Sequence, residues 1–281
     1  MNVANPLKNV LKSHLASSRA MLAVNVQSIQ QIEIVSLISS ELQKEVIIQF
    51  SAKYIDYFEK LIGIDRILDK YKSNKYLYFH LDHCMDERLI TSCINWGFDS
   101  VMYDGSAFSI NENISNTKEI VTLANSKGVL VEGEVGIVGG VEDGFGGGGS
   151  SIFNLDDALS FYNESGVDLL ALGIGNAHGV YVTNESVDVN LLSIFQERLQ
   201  IKSCLVLHGA TGLDDDQIMD AIKYGVVKVN LSTELKLVYQ DIIVALGTRA
   251  LHDEIYLYER LRERLRPVLT SIIEKMDAKC I

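Results

Sequence analysis

Eight short apolar runs, rich in β-branched residues, recur along the chain and predict strands. The runs cover residues 20–26, 46–50, 76–81, 100–102, 129–135, 168–172, 204–207 and 226–229. Several of them are almost continuously apolar instead of alternating, which is typical of strands that are covered on both faces. The pattern therefore predicts a sheet against which helices pack.

Segments with helical period separate most of these runs. They cover residues 29–42, 110–124, 155–162, 189–199, 213–224 and 234–246. This alternation favours an α/β fold of the (β/α)8 (TIM) barrel type; a doubly wound sheet is the alternative, because the pattern does not give the strand order. Polar residues follow each strand, and only a barrel brings all the strand exits to one mouth. We therefore predict the barrel.

The two ends of the chain lie outside the predicted barrel. Residues 1–18 predict a short N-terminal helix. Apolar residues at four-residue spacing from Leu257 to Ile273 predict an extra C-terminal helix, in which Pro267 would introduce a kink. We interpret residues 1–281 as one domain, with the barrel over residues 19–250 and a helical extension over residues 251–281. The apolar stripe of the extension is expected to pack on the barrel.

Composition and charge narrow the classes of partner. Apolar residues make up 47% of the chain and charged residues 22%, which is ordinary for a globular protein. The net charge of −12 argues against binding of nucleic acid or of an anionic membrane surface. The sequence shows neither a membrane-spanning run, nor a signal peptide, nor a CxxC pair, so we expect a cytoplasmic protein with reduced thiols.

Three histidines lie at the exits of different predicted strands, each beside a glycine or a carboxylate. They are His83, His178 and His208, and Asp82 directly precedes the first of them. Three imidazoles that leave one coordination position open match the ligand set of a catalytic Zn²⁺ ion. The alternative is a set of buried core histidines, which is the commoner case for a single histidine on an apolar element. His80 lies on the same side of its strand as Asp82 and is expected to support the site.

Acidic residues also lie at strand ends. Asp104 follows the fourth predicted strand, and Glu132 and Glu134 alternate at the end of the fifth, so their side chains lie on the same side of that strand. Most Asp and Glu side chains are simply solvated. The apolar residues that flank Glu134 argue against that interpretation there.

A glycine-rich stretch covers residues 139–151 and formally contains the pattern GxGxxG. The match begins about nine residues after the fifth strand, so it lacks the tight strand-to-helix turn that dinucleotide binding needs. We interpret the stretch as a loop that folds over a site and carries Glu142. A long surface connection is the alternative.

Turns of small residues follow the last three predicted strands. Loops at these positions of a barrel often bind phosphate through backbone N–H groups and hydroxyls. The residues in question are Gly179, Gly209, Ala210, Thr211, Asn230, Ser232 and Thr233. Ser51 follows the second strand in the same way, and Lys228 would add a positive charge to the phosphate site if it faces inward.

Seven short motifs occur in order between about residue 20 and residue 246. They cover residues 80–83 (His-Leu-Asp-His), 100–106, 131–136, 139–143, 177–181, 206–212 (Val-Leu-His-Gly-Ala-Thr-Gly) and 228–235. Together they resemble the class II, zinc-dependent ketose-bisphosphate aldolases, nearest the tagatose- and fructose-bisphosphate branch. The resemblance implies reversible aldol cleavage of a ketose (bis)phosphate into dihydroxyacetone phosphate and an aldehyde through a metal-stabilised enediolate.

The same resemblance implies roles for single residues. The matching ligands of the catalytic zinc are His83, His178 and His208. Asp82 matches the acid/base at the C4 hydroxyl, and Glu142 matches the loop carboxylate that exchanges a proton of the dihydroxyacetone-phosphate half. Asp104 and Glu134 match acids around a second or alternative metal position. The matching substrate-binding residues are Ser51, Gly179, Gly209, Ala210, Thr211, Asn230, Ser232 and Thr233.

Three departures from the family pattern bear on the substrate. No lysine follows the His-Gly-x-Tyr motif within residues 182–185, the run 253–255 lacks an arginine that reads the far phosphate, and Val141 replaces a common Glu. We hypothesise that the dihydroxyacetone-phosphate chemistry is retained with an atypical aldehyde, for example an unphosphorylated one. Arg249 or Arg260 taking the place of the missing arginine is the alternative.

Two other functions remain as alternatives to the aldolase. The first is a catalytically silent phosphosugar-binding or partner-activating protein on the same barrel. The second is a nicotinamide-dependent oxidoreductase, which rests only on the GxGxxG match. We also expect a homodimer or homotetramer, and a monovalent cation belongs with Zn²⁺ among the candidate cofactors.

Overall fold

Eight parallel strands close into a barrel in the part of the chain that the computed structural model describes, namely residues 5–142, 145–146, 149–179, 187–200, 202–211, 213–248 and 253–278. The strands, in chain order, are β1 (Met21–Asn25), β2 (Val46–Ser51), β3 (Leu77–Cys84), β4 (Ser100–Tyr103), β5 (Leu130–Val135), β6 (Val141–Glu142), β7 (Phe145–Gly146), β8 (Leu169–Leu172), β9 (Leu205–Leu207) and β10 (Val226–Leu231). The short β6 and β7 pair with each other in antiparallel fashion outside the barrel.

The closure of the sheet decides between the two predicted folds. β1 pairs in parallel with β2 on one side and with β10 on the other. The order around the ring is β1-β2-β3-β4-β5-β8-β9-β10. The (β/α)8 barrel is therefore confirmed and the doubly wound sheet is wrong, since an open sheet would leave two unpaired edge strands.

Helices surround the barrel and close its lower end. They are α1 (Pro6–Ser17), α2 (Ile29–Leu42), α3 (Ala52–Leu61), α4 (Ile64–Tyr71), α5 (Glu87–Trp96), α6 (Ile110–Lys127), α7 (Leu155–Ser165), α8 (Asn190–Leu199), α9 (Asp215–Lys223), α10 (Thr233–Leu246) and α11 (Glu254–Asp277). The helices α3, α4 and α5 are not predicted from the sequence and are only 8 to 10 residues long. None of the helices in the described ranges is long and apolar enough to cross a membrane.

The C-terminal helix α11 packs on the barrel, as its apolar stripe predicts. Leu261, Leu265 and Leu269 are buried, and α11 lies against α2, α10 and β1. It forms a single helix with Pro267 inside it. The stripe is therefore used within the chain.

Alternate residues along each strand face the barrel interior and the surrounding helices. In β1, Met21 and Ala23 belong to an interior apolar cluster with Leu7 and Leu11 of α1, whereas Leu22 belongs to the cluster under the other helices. α1 thus closes the N-terminal end of the barrel with apolar side chains. The interior there is a packed core, which leaves the C-terminal end for chemistry.

Asp99, at the N-terminal rim of the barrel, gives a prediction about stability. Its carboxylate accepts a hydrogen bond from the backbone N–H of Phe79 at 2.8 Å, and burial raises its pKa to about 6. Because the folded-state pKa lies above that of the unfolded chain, the contribution of Asp99 to stability is full below about pH 3.8 and is lost as the pH rises to about 6.

Asp99→Asn keeps the acceptor oxygen and removes this dependence. We expect the variant to gain up to about 2–3 kcal/mol of unfolding free energy relative to the parent between pH 4.5 and pH 7.5. Urea unfolding at those two pH values measures the difference. An identical pH dependence in the two proteins would contradict the prediction.

Candidate metal centre and active site

Polar side chains replace apolar ones at the inward-facing positions toward the C-terminal end of the strands. Buried polar residues in this upper half are Asn25, Gln49, Ser51, His80, Asp82, Glu132, Glu134, Lys228 and Asn230, each at most 9% exposed. The interior of the barrel therefore changes from an apolar plug near α1 to a charged, hydrogen-bonded mouth. Barrels of this kind carry their active sites at that end.

The three predicted histidine ligands come together at the mouth. Each can offer one ring nitrogen to a common ion, and the three nitrogens lie within 4.8 Å of one another. Nε2 of His83 lies 2.8 Å from Nδ1 of His208. The ring centre of His178 lies 5.0 Å from that of His83. Three imidazole nitrogens that lie this close together are a donor set suited to Zn²⁺.

An irregularity in β3 lets two neighbouring residues reach the mouth. β3 extends to Cys84, so the predicted end of this strand at residue 81 is wrong by three residues. The pairing with β4 shifts register between Leu81 and Cys84, and His83 has a positive φ of 35°. Because of this bulge, Asp82 and His83 both face the site although successive strand residues normally point to opposite faces.

His178 lies in the loop after β8 and is held through its backbone. Its N–H donates to the carbonyl of Gly139 at 2.7 Å. Gly140 has a φ of +82°, and a Cβ there would lie 2.4 Å from the carbonyl oxygen of His178. Only glycine fits so close an approach. The start of the glycine-rich stretch is thereby packed against a metal-ligand candidate.

A second donor group shares His83 with the first. Ligand atoms of His83, Asp104 and Glu134 also lie within 4.8 Å of one another. Oδ2 of Asp104 lies 2.7 Å from Nδ1 of His83. Oε2 of Glu134 is buried and has no hydrogen-bond partner among the described residues. Such an atom fits a site that a cation completes.

Charge in this cluster is unbalanced toward the negative. Burial and the neighbouring Asp104 raise the pKa of Glu134 to about 8. Burial acts against a charged imidazole, yet the carboxylates of Asp82 and Asp104 raise the pKa of His83 to about 10. Burial lowers the pKa of His208 well below its usual value. The carboxylates thus favour a positive charge beside His83, which is what a bound cation would supply.

Asp82 is held by two amide side chains. Nδ2 of Asn25 donates to one carboxylate oxygen at 2.8 Å, and Nδ2 of Asn230 donates to the other at 3.3 Å. Gln49 in turn donates to Oδ1 of Asn25 at 2.9 Å. Burial opposes ionisation of Asp82, but the positive charges of His83 and Lys228 lower its pKa. Asp82 is therefore an oriented carboxylate beside the histidines.

The predicted substrate-binding residues lie around the same mouth. Ser51 pairs in register with Asp82, and its hydroxyl is buried without a hydrogen-bond partner among the described residues. Ser232 directly precedes α10, and its hydroxyl is likewise buried without a hydrogen-bond partner among the described residues. Gly209 has a φ of +62°, and a Cβ there would lie 2.2 Å from the carbonyl oxygen of Ala177.

The loops after β8 and β9, the end of β10 and the start of α10 supply the remaining predicted contacts. These are Gly179, Ala210, Thr211, Asn230 and Thr233. Asn230 lies in β10, which ends at Leu231 and is longer than predicted. These residues, together with the N-terminus of α10, are adjacent because their strands are neighbours in the ring.

Some predictions fall outside the described residues. These predictions concern the side chains of Val141 and Glu142, residues 180–186, Gly212 and Arg249. The backbone of Val141 and Glu142 is described and forms β6. Arg260 lies on α11 and forms an ion pair with Glu263 at 2.6 Å. The hypothesis about the far phosphate stays a prediction.

The predicted use of Lys228 for a phosphate is wrong. Its side chain faces inward but is fully buried, and Nζ donates to Oε2 of Glu132 at 2.9 Å. Two further residues of the site, Asn25 and Gln49, are not predicted from the sequence. A signal for them exists, since each is a lone amide at or near the end of an otherwise apolar strand run.

The fold and the donor set define a class of protein: a (β/α)8-barrel enzyme whose mouth can hold a metal ion beside a buried carboxylate. Comparison with known proteins identifies the family. The chain belongs to the class-II fructose-bisphosphate aldolases, because the family model described as "Fructose-bisphosphate aldolase class-II" matches residues 5–280. The chain is thus an aldolase, a lyase, and the resemblance seen in its motifs is confirmed.

Relatives with two different substrates support this assignment. The chain is 35% identical over 246 residues to a fructose-bisphosphate aldolase of Ureaplasma parvum, covering 86% of this chain and 82% of the relative. It is 32% identical over 277 residues to a 6-phospho-5-dehydro-2-deoxy-D-gluconate aldolase of Halalkalibacterium halodurans, covering 97% and 93%.

Solved structures share the fold. The YdjI aldolase of Escherichia coli K12 superposes with a TM-score of 0.83 at 24% identity, covering 99% of this chain and 100% of the other. Fructose-bisphosphate aldolase of Campylobacter jejuni gives a TM-score of 0.80 at 21% identity, covering 99% and 96%. At these identities the likeness concerns the barrel and not the substrate.

Proposed function

We propose that the chain catalyses Zn²⁺-dependent, reversible aldol cleavage of a ketose phosphate, giving dihydroxyacetone phosphate and an aldehyde. The observation that carries the proposal is the convergence of His83, His178 and His208 with the carboxylate of Asp82 in one polar mouth. A family of metal-dependent aldolases supports it. The silent binding protein and the oxidoreductase explain this arrangement less well.

The three histidines would hold the ion, and the chemistry of their nitrogen donors suits Zn²⁺. The ion, when bound, supplies Lewis-acid stabilisation of the negative charge that develops beside the ketone during cleavage. Asp104 and Glu134, with His83, form the group for a second or alternative position of the ion. We include a monovalent cation among the cofactors to be tested.

Asp82 is proposed as the acid/base. In cleavage it takes the proton of the C4 hydroxyl as the C3–C4 bond breaks, the C4 oxygen becomes the aldehyde carbonyl, and the electron pair of the bond stays on C3. The hydrogen bonds from Asn25 and Asn230 aim the carboxylate for this transfer. A proton then returns to C3, and Glu142 is the residue we propose for that step.

The phosphate of the dihydroxyacetone half is proposed to lie at the loops after β8, β9 and β10. The buried, unpartnered hydroxyl of Ser232 and the N-terminus of α10 favour an anion there. Gly179, Gly209, Thr211 and Thr233 would add backbone N–H groups and hydroxyls. Ser51, Ala210 and Asn230 complete the proposed contacts with the substrate.

We propose a cytoplasmic enzyme that forms a homodimer or homotetramer and acts on a small phosphorylated sugar. Its net charge of −12 does not favour nucleic acid or an anionic membrane as a partner. Sedimentation of the purified protein measures the size of the oligomer.

We also propose that the aldehyde half carries no phosphate. Residues 182–185 contain no lysine and residues 253–255 no arginine, and the family resemblance assigns the far phosphate to that arginine. In the structure, Asp253 is engaged as the N-cap of α11, where it accepts from the N–H of Tyr256 at 3.0 Å. A relative of similar length is named for a sugar acid with one phosphate, which supports the same conclusion.

The preference between two ketoses tests this part of the proposal. We expect kcat/KM for fructose 1-phosphate to exceed that for fructose 1,6-bisphosphate by about 10-fold or more, because an unpaired buried phosphate is costly. Ser232→Ala serves as the matched control and should lower both values alike, since both ketoses share the near phosphate. A strong preference for the bisphosphate would show that another cation serves the far end.

A further inference from the structure

We infer that Glu132 and Lys228 act as one positioning unit that decides which nitrogen of His208 is presented to the metal. The inference rests on the proposed metal site. It concerns two residues that touch neither the substrate nor the ion. The unit is buried below the mouth, where Glu132, Lys228 and His80 are all fully inaccessible to solvent.

The hydrogen bond between Glu132 and His208 selects the imidazole tautomer. Oε1 of Glu132 lies 2.8 Å from Nε2 of His208, so this nitrogen carries the hydrogen that it donates to the carboxylate. The lone pair then lies on Nδ1, which faces Nε2 of His83 at 2.8 Å and Nδ2 of Asn230 at 3.3 Å. His208 would therefore bind an ion through Nδ1.

Lys228 fixes the orientation of the carboxylate. Its Nζ donates to Oε2 of Glu132 at 2.9 Å and lies 3.5 Å from Nε2 of His80. His80 is itself held by Ser100, whose hydroxyl lies 2.8 Å from Nδ1. A fully buried lysine needs a partner of opposite charge, and Glu132 is the one that the described residues provide. One oxygen of Glu132 is thus committed to Lys228 and the other to His208.

This arrangement leads to a distinctive expectation for Glu132→Gln. A glutamine has one oxygen and one NH₂ group, and Lys228 can accept no hydrogen bond, so the amide oxygen must face Lys228. The NH₂ group then faces Nε2 of His208 and donates to it. The imidazole hydrogen moves to Nδ1, and the lone pair for the metal is lost.

Removing the lysine should restore binding. In Glu132→Gln/Lys228→Met the amide is free to turn its oxygen toward His208, which returns the hydrogen to Nε2 and the lone pair to Nδ1. The double variant lacks both charges of the pair, so neither is left buried without a partner. Its Zn²⁺ binding can therefore still test the inference if the single variant folds poorly. A residue that only fills space would not show such a rescue.

The experiment measures metal binding by the full chain. Zn²⁺ affinity is obtained by competition with a chromophoric chelator, and the visible absorption of Co²⁺ reports the ligand geometry. We expect Glu132→Gln to weaken Zn²⁺ binding by about 10–100-fold and to change the Co²⁺ spectrum. The double variant should recover most of the affinity and a spectrum close to that of the parent.

Ser165→Ala is the matched control. Ser165 is buried at the end of α7, remote from the mouth, and its hydroxyl accepts from the N–H of Val167. The control should lower the melting temperature without changing Zn²⁺ affinity.

The outcomes separate this inference from the proposed function. A double variant that binds Zn²⁺ as weakly as Glu132→Gln, or a single variant that binds like the parent, would overturn the inference while leaving the metal site standing. Failure of the parent chain itself to bind Zn²⁺ would overturn the proposed function.

Discussion

Replacing Asp82 by asparagine is expected to lower kcat for ketose phosphate cleavage by about 10²–10⁴-fold. The asparagine keeps the shape of the side chain and one acceptor oxygen, but it cannot take the proton of the C4 hydroxyl. Zn²⁺ binding should stay within a few-fold of the parent, because Asp82 is not among the grouped donor atoms. Steady-state cleavage kinetics and chelator competition measure the two quantities.

A second readout separates proton transfer from a general loss of structure. Exchange of a carbon-bound proton of dihydroxyacetone phosphate with solvent does not involve the C4 hydroxyl, so Asp82→Asn should retain most of it. Asp99→Asn is the matched control: it makes the same chemical change at a buried carboxylate at the opposite end of the barrel. If exchange falls as far as cleavage does, Asp82 acts on the dihydroxyacetone half instead.

Removing the metal is expected to lower activity at least as much as the Asp82→Asn substitution does. Treatment with EDTA should lower both cleavage and proton exchange by more than about 10³-fold, since the charge beside the ketone then lacks its main source of stabilisation. Zn²⁺ added in excess should restore both activities. Enzyme assays before and after dialysis, with metal analysis of the same samples, provide the measurement.

His178→Ala tests the same point at one ligand. The histidine lies in the first donor group and not in the second, so the variant should lose exchange and cleavage while the group of His83, Asp104 and Glu134 stays intact. Asp104→Asn is the converse change, and we expect it to affect activity less than His178→Ala does. Exchange that survives complete metal removal would contradict the mechanism.

Much of the fold could be predicted from the sequence, for a physical reason. Strands buried on both faces give continuous apolar runs, and α2 has a full apolar stripe, so both ends of α2 are predicted as observed. Closure of the ring follows only from the pairing of β1 with β10. The short helices α3 to α5 span only 8 to 10 residues each, which is shorter than the window over which a helical period can be recognised in a sequence.

The residues of the candidate site can be predicted from the sequence better than the contacts among them. Histidines and acids at strand ends are visible in the sequence, because such residues are rare beside apolar runs. The contact between Glu132 and Lys228 joins positions 96 residues apart, and no local pattern encodes it. The inward direction of His83 depends on a bulge in β3, which an apolar pattern does not show. The contact with Glu132 is also the reason why Lys228 does not serve the phosphate site that the sequence predicts.

The distribution of the three histidines along the chain has a consequence for biosynthesis. His83 and His208 are 125 residues apart, and His178 and His208 follow β8 and β9, late in the ring. A growing chain therefore cannot assemble the set until most of the barrel has emerged from the ribosome. At the proposed site, Zn²⁺ would bind only after the barrel has formed. It would then raise the free energy of unfolding by about 2.7 kcal/mol at a free concentration of 100 Kd. The zinc supply of the cell would thereby influence how long each finished molecule lasts.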